Sequence, residues 1–206
     1  MCGRFGALDL VATEEVLGPI LNDLLSSVKT LNKMVTIQGE VFPADNVPVV
    51  IGTEEKKLRV EAMFWGFPGF KNMLYKNRPP KLLINARSET ADDLPTWKNA
   101  LTSGRCLIPS SGFFEWAGVK KQKYLFRLDG EKVLFLAGIY QLFQNELKIL
   151  PNRFAILTTS ANSSISDIHK RMPVVIRLSE KDEWLFGDYK KLLDRNEILF
   201  TRKKSN

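Results

Sequence analysis

Short runs of β-branched and aromatic residues recur along this chain, and they predict a protein built mainly of strands. Val35–Phe42, Val47–Ile51, Leu58–Phe64, Cys106–Ile108, Phe113–Trp116, Tyr124–Leu128, Val133–Tyr140, Phe154–Thr159 and Val174–Leu178 all read as β-strands. Asp129-Gly130 falls between two of them and signals a hairpin turn. Helical spacing is rarer. Val16, Leu17, Ile20, Leu21, Leu24 and Leu25 predict an amphipathic helix over Glu14–Ser27, weakened in its middle by Gly18 and Pro19. A second helix is predicted over Leu94–Leu101 and a third from Ser179, where Ser179 and Asp182 resemble a capping box. Many closely spaced strands and few short helices predict an α+β fold: a mostly antiparallel, barrel-like β-sheet core with short peripheral helices. No internal repeat or low-complexity segment interrupts it, so residues 1–200 read as a single domain. Residues 201–206 read as a basic, disordered tail.

Composition narrows the chemistry. At 206 residues the chain can bury a real core, and 44% hydrophobic with 26% charged residues is ordinary for a globular protein. No apolar stretch reaches a membrane span and no signal peptide opens the chain, so no membrane attachment is expected, and the use of cysteine suits a reducing cytosolic or nuclear setting. Two cysteines, Cys2 and Cys106, do not make a disulfide framework, and one histidine without a Cys-x-x-Cys leaves little for a metal. No metal and no cofactor are expected. The formal charge of +7 suits a polyanionic partner. Its distribution is more telling. From Ala62 to Ser88 there is no acid, whereas Lys71, Lys76, Arg78, Lys81 and Arg87 alternate with Phe64, Trp65, Phe67, Phe70 and Tyr75. Cations that hold phosphates, interleaved with rings that stack on bases, fit single-stranded nucleic acid. A solvated loop with its rings turned inward would read the same way.

Cys2 follows Met1 directly. Once Met1 is removed, an N-terminal cysteine offers an amine and a thiol on adjacent carbons, with ordinary pKa values of about 7.7–8.0 and 8.5. With an aldehyde such a pair gives a Schiff base and then a thiazolidine ring. With an amide or ester, the sulfur attacks as in N-terminal-nucleophile hydrolases. Four further spots carry chemistry. In Leu83 to Thr90, Asn85 can donate to a carbonyl or sugar oxygen and Arg87 can fork onto a phosphate, or Arg87 can pair with Glu89. In Ser111 to Trp116, Glu115 stands among bulky apolar residues, which would raise its pKa and suit it to general acid–base work; a solvent-facing strand glutamate is the alternative. Thr159-Ser160-Ala161-Asn162 is a polar turn after an apolar strand, and Ile168 to Pro173 holds His169 beside Lys170 and Arg171.

Met1-Cys2-Gly3-Arg4-Phe5, Phe64-Trp65-Gly66, Ile84 to Thr90, Gly112 to Trp116, Thr158 to Asn162 and Ile168 to Pro173 occur in this order. Together they resemble the SRAP family, the SOS-response-associated peptidase domain proteins that shield abasic sites in DNA. The resemblance runs from Cys2 to about Leu185. It implies that mature Cys2 captures the ring-opened abasic sugar as a thiazolidine in single-stranded DNA. It further implies that Asn85 orients sugar and cysteine, that Glu115 moves protons, and that His169 assists ring opening, reversal or β-elimination. Arg4, Arg87 and Arg171 would hold phosphates, with Thr159 and Asn162 along the strand, and Trp65, Phe70 and Lys71 would contact bases or backbone. Self-removal of Met1 and lyase activity are part of what the family implies, as is a cytoplasmic, bacterial setting with nucleoid association when bound to DNA; a monomer is the default expectation. The sequence departs from the family pattern at Pro68-Gly69-Phe70-Lys71, which offers one ring where relatives have an aromatic pair. It departs again at Val41-Phe42-Pro43-Ala44-Asp45, where relatives carry an asparagine. An N-terminal-nucleophile peptidase or amidase, and a non-catalytic module that binds single-stranded nucleic acid, remain as alternatives.

Overall fold

Residues 2–7, 35–68, 82–119, 121–142 and 152–205 are described by a computed structural model of the chain. The predicted helix over 14–27 lies outside these residues, as do Phe70, Lys71 and the rest of 69–81 in the acid-free segment.

In chain order the strands are β1 (Phe5–Gly6), β2 (Glu40–Val41), β3 (Asn46–Gly52), β4 (Leu58–Trp65), β5 (Phe67–Pro68), β6 (Leu82–Leu83) and β7 (Asn85–Arg87). There follow β8 (Arg105–Ser110), β9 (Gly112–Ala117), β10 (Gln122–Leu128), β11 (Leu134–Gln141), β12 (Arg153–Ser160), β13 (Arg171–Pro173), β14 (Val175–Ile176) and β15 (Phe200–Ser205). Among the described residues two α-helices accompany them, α1 (Pro95–Ser103) and α2 (Lys181–Phe186). A Pro at the first turn starts α1, where its missing N–H costs nothing.

The strands divide between two large sheets. The first is five-stranded, in the order β15-β10-β9-β1-β2, and all its pairings are antiparallel. The second runs β13-β12-β4-β3-β8-β11-β14, with β7 paired to β12 and a further β11–β12 pairing. Its β12 runs parallel to both β4 and β7, so the sheet is mixed. The α+β class and the predominance of strands agree with the sequence reading. Antiparallel pairing predominates, as predicted, whereas the strands form two large sheets, one of them mixed, rather than one barrel-like sheet; the parallel contacts of β12 arise from connections too long to read locally.

Side-chain alternation builds two cores on the second sheet. Val47, Val49 and Ile51 of β3, Cys106 and Ile108 of β8, and Phe154 and Ile156 of β12 point toward the first sheet. Val50, Leu107, Ala155 and Leu157 point the other way, where Trp97 and Leu101 of α1 and Trp184 and Leu185 of α2 cover them. The inter-sheet core is rich in rings. Phe113 stacks on Phe126 at 5.3 Å and meets Phe200 edge-on at 5.2 Å. Trp65 packs between Phe5 at 5.1 Å and Phe154 at 6.2 Å.

The C-terminal segment departs from expectation. Residues 200–205 form β15 and pair with β10 over six positions, from Leu128↔Phe200 to Lys123↔Ser205. Backbone pairing does not require apolar side chains, and buried Phe200 anchors the strand, so a sequence of cations can still be ordered. Val174–Leu178 also breaks: β14 is only two residues long and a 3-10 turn begins at Leu178.

Candidate functional site

The short strand β1 fixes Cys2. It is held between β2 and β9 through Phe5↔Val41 and Phe5↔Phe113, and the Phe114 N–H donates to the Arg4 carbonyl at 3.0 Å. Buried Ser110 pins its far end, with Oγ 2.9 Å from the Gly6 carbonyl and 2.7 Å from that of Gly112. Gly112 opens β9 at φ +147°, and a Cβ there would lie 2.6 Å from the Phe126 carbonyl oxygen, so no other residue fits without displacing β10. Cys2 itself is fully buried in the inter-sheet core, its thiol 3.7 Å from the Arg4 carbonyl. Burial pushes this thiol above its ordinary range, and the negative charge of Glu115 pushes it further; the contact with the Arg4 backbone offsets part of this.

Asn85 reaches Cys2 from the other sheet. On β7, Asn85 lies beside Ile156 of β12, and its Nδ2 donates to the Cys2 carbonyl at 2.9 Å. Its Oδ1 is buried and accepts no hydrogen bond among the described residues, which leaves a desolvated acceptor on the amide that holds Cys2. Trp65 supports this strand: its indole N–H donates to the Ile84 carbonyl at 2.9 Å, and the Ile156 N–H donates to the same oxygen at 3.0 Å.

Glu115 arrives from β9. It stands opposite Tyr124 of β10 and on the same face as Phe113, so it points into the inter-sheet space rather than to solvent. Burial raises its pKa above the usual carboxylate range, while nearby positive charge, His169 included, draws it partly back. His169 follows a turn in which Asn162 organises the backbone. The Ile165 and Ser166 N–H groups bond the Asn162 carbonyl, and Ala161 bonds the Lys170 carbonyl. The ring Nδ1 of His169 accepts from the Arg171 N–H at 3.0 Å. The same Nδ1 lies 3.0 Å from the Arg171 carbonyl oxygen, so the Arg171 backbone fixes the orientation of the ring in either tautomer. Cys2, Asn85, Glu115 and His169, scattered in sequence, thus converge on one end of the inter-sheet core. Among the described residues no group of three or more His, Cys, Asp or Glu side chains could hold a metal ion, and no helix is long and apolar enough to cross a membrane.

This constellation sits in a family pattern that matches from end to end: residues 1–205 fit the family described as SOS response associated peptidase (SRAP). The chain belongs to the SRAP family. This SRAP chain is 30% identical over 152 residues to the abasic site processing protein YoaM of Bacillus subtilis, which covers 70% of the chain but 64% of the relative's own length. It is 29% identical over 189 residues to the abasic site processing protein YedK of Escherichia coli, covering 90% of the chain and 79% of that relative. The fold recurs in a crystal structure of a Bacteroides thetaiotaomicron protein, with TM-score 0.74, 21% identity, and coverage of 100% of this chain and 92% of that one.

The remaining residues singled out in the SRAP sequence are distributed differently than expected. Trp65 is fully buried and cannot stack on a base; alternation along β4 turns it inward with Met63. Trp65→Ala is expected to lower stability by about 3–5 kcal/mol in denaturant unfolding, because it opens a large cavity and removes one of the two donors to the Ile84 carbonyl, the Ile156 N–H remaining. Asn162 is buried and occupied: Nδ2 donates to the carbonyls of Arg195 at 3.2 Å and Ile198 at 2.5 Å, and Oδ1 accepts from Ser164. It positions the His169 turn against the C-terminal segment and is not placed to meet a phosphate. Asn162→Ala is expected to cost about 1–3 kcal/mol in the same measurement, with affinity for DNA unchanged when both proteins are folded. Arg171 forks onto Glu89 at 2.6 and 2.9 Å and reaches the Thr158 carbonyl at 2.5 Å, so the ion pair at Glu89 is made by Arg171, not Arg87. Thr159 is buried, whereas Arg87 is exposed and shares with Asn85 the face of β7 opposite buried Ala86.

Arg4 reveals partners that the sequence reading missed. Its guanidinium donates to Glu40 at 3.0 Å and lies 4.1 Å from the Phe42 ring centre and 5.1 Å from that of Trp116. Lys123 also bonds Glu40 and sits 4.6 Å from the Phe114 ring. Only strand pairing, Phe5↔Val41 and Lys123↔Trp116, gathers these residues, so no local pattern announces them.

Proposed function

We propose that this protein senses and shields abasic sites in single-stranded DNA by capturing the sugar aldehyde with its N-terminal cysteine. One observation carries the reading: Asn85 grips the backbone of Cys2 from the opposite sheet, with buried Glu115 and His169 beside them, in a family whose relatives are named abasic site processing proteins.

The chemistry follows from the environment. Removal of Met1 frees the Cys2 amine, which adds to C1′ of the open-chain sugar; loss of one water gives an imine. The thiol then adds its sulfur to the imine carbon and its proton reaches the nitrogen, closing a thiazolidine with no further atom lost. A thiol held protonated by burial is a poor free nucleophile, so attack begins at the amine and the sulfur follows once a base relieves it of its proton. Glu115 is suited to that relay, because a carboxylate lifted above its usual range exchanges protons nearer neutral pH. Asn85 holds the cysteine in register, and its buried Oδ1 accepts a hydrogen bond from the amine or a sugar hydroxyl. His169 acts at the sugar in ring opening and, on this reading, in weak strand cleavage by β-elimination. Self-removal of Met1 through the Cys2 thiol belongs to the same proposal.

The test is direct. Protein with Met1 removed is incubated with a single-stranded oligonucleotide bearing one abasic site and run on a denaturing gel. A shifted covalent band, erased when methoxyamine blocks the aldehyde first, is the expected result. Non-covalent binding alone, weakening with salt, would assign a binding module; peptide turnover without DNA would assign a hydrolase.

A further inference from the structure

We propose that Lys123 joins Arg4, whose phosphate role the family resemblance already implies, as the second cation of a phosphate subsite for single-stranded DNA, and that Glu40 occupies this pair as a resident anion which the phosphodiester must displace. The proposal rests on the DNA-capture reading above and adds to it the identity of a contact and of its competitor.

Glu40 accepts from Arg4 on Oε2 at 3.0 Å and from Lys123 on Oε1. Each carboxylate oxygen therefore has its own cation, and the two cations come from different strands, the residue before β1 and the second residue of β10. A phosphodiester likewise presents two charged oxygens and one negative charge, so it can take the same two donors. The cations are held in place. Phe42 and Trp116 flank the Arg4 guanidinium, and Phe114 lies beside Lys123. The cluster reaches solvent on the Arg4 side: the side chains of Arg4 and Glu40 are each 29% exposed and Phe42 is 43% exposed, whereas Lys123 is 12% exposed and forms its inner wall. The location fits the strand's path. Arg4 is two residues from Cys2, and Phe114 and Trp116 flank Glu115 on the opposite face of β9. A base next to the captured sugar could rest on exposed Phe42 while its phosphate enters the subsite.

Glu40→Gln keeps the shape and removes the competing charge. It is expected to bind an unmodified oligothymidylate about three- to tenfold more tightly than the parent in fluorescence anisotropy. Lys123→Met is expected to bind more weakly, with the slope of log affinity against log salt shallower by about 0.7, the value for one lost single-strand phosphate contact. In the double variant the gain from Glu40→Gln should shrink, because the charge it unmasks is gone. Equal melting temperatures establish that all variants are folded. Unchanged or weaker binding by folded Glu40→Gln overturns the proposal, as does an unchanged salt slope for Lys123→Met. Scoring the abasic-site cross-link on the same samples separates the two ideas. A cross-link without these affinity changes sinks the subsite alone, and a parent protein that neither binds nor cross-links sinks both.

Discussion

Cys2→Ser, prepared with Met1 removed by an added aminopeptidase so that its amine is free, is expected to yield no cross-link that survives denaturation and hydrolysis, although the folded protein still binds the oligonucleotide. Serine keeps the amine and nearly the shape, so an imine can still form at C1′. What is lost is ring closure, because a hydroxyl is far less nucleophilic toward an imine than sulfur, and the open imine returns to aldehyde and amine in water. Adding borohydride during incubation should therefore recover a covalent band from Cys2→Ser, since reduction converts the imine to a stable secondary amine. The parent protein should need no reductant. An unreduced Cys2→Ser band as strong as the parent's would show that sulfur has no part in the adduct. The fully buried position of Cys2 makes the swap a fair comparison, because the second row atom is replaced without exposing the backbone that Asn85 and Phe114 hold.

Glu115→Gln should slow adduct formation by about 10²–10⁴-fold, the range for losing a positioned proton-transfer group. The rate profile adds a signature. In the parent, capture should rise with pH through the elevated Glu115 titration; in Glu115→Gln that limb should vanish, leaving the slope set by the amine. Stability should move the other way. Burial raises the folded-state pKa of Glu115 above its unfolded value, so the folded form binds the proton more tightly than the unfolded form. The parent is then favoured at low pH and loses stability as pH climbs from the unfolded value through the folded one. Glutamine escapes that loss. The melting temperature of Glu115→Gln relative to the parent should increase over this window and then level off. A variant both slower and less stable at neutral pH would mean that Glu115 acts mainly as a structural acceptor.

The long strands were legible because their β-branched and aromatic residues announce themselves: β3, β4, β8 to β12 lie within a few residues of the predicted runs. The shortest elements were not. β1 and β7 contain two and three residues, too few for any period, and exist because distant partners such as Phe113 and Ile156 supply their hydrogen bonds. Among candidate site residues, Cys2, Asn85, Glu115 and His169 could be singled out because their chemistry is scarce in apolar surroundings, and they converge. Trp65, Asn162 and Arg171 were assigned outward roles because composition does not reveal which polar atoms are already satisfied. Only the Ile84, Ile198 and Glu89 partners do that. Glu40 and Lys123 carried no signal, since their meaning depends on one carboxylate lying between two strands far apart in sequence.

The cations of β15 have a consequence for how this protein behaves in crowded solution. Among the described residues β15 is the outermost strand of its sheet, and Lys203 and Lys204 are exposed along it beside Arg202, which is paired with Asp167. Two such edges approaching one another would bring like charges into register before any ladder could form. The basic residues that read as a loose end would thus oppose edge-to-edge pairing of two copies.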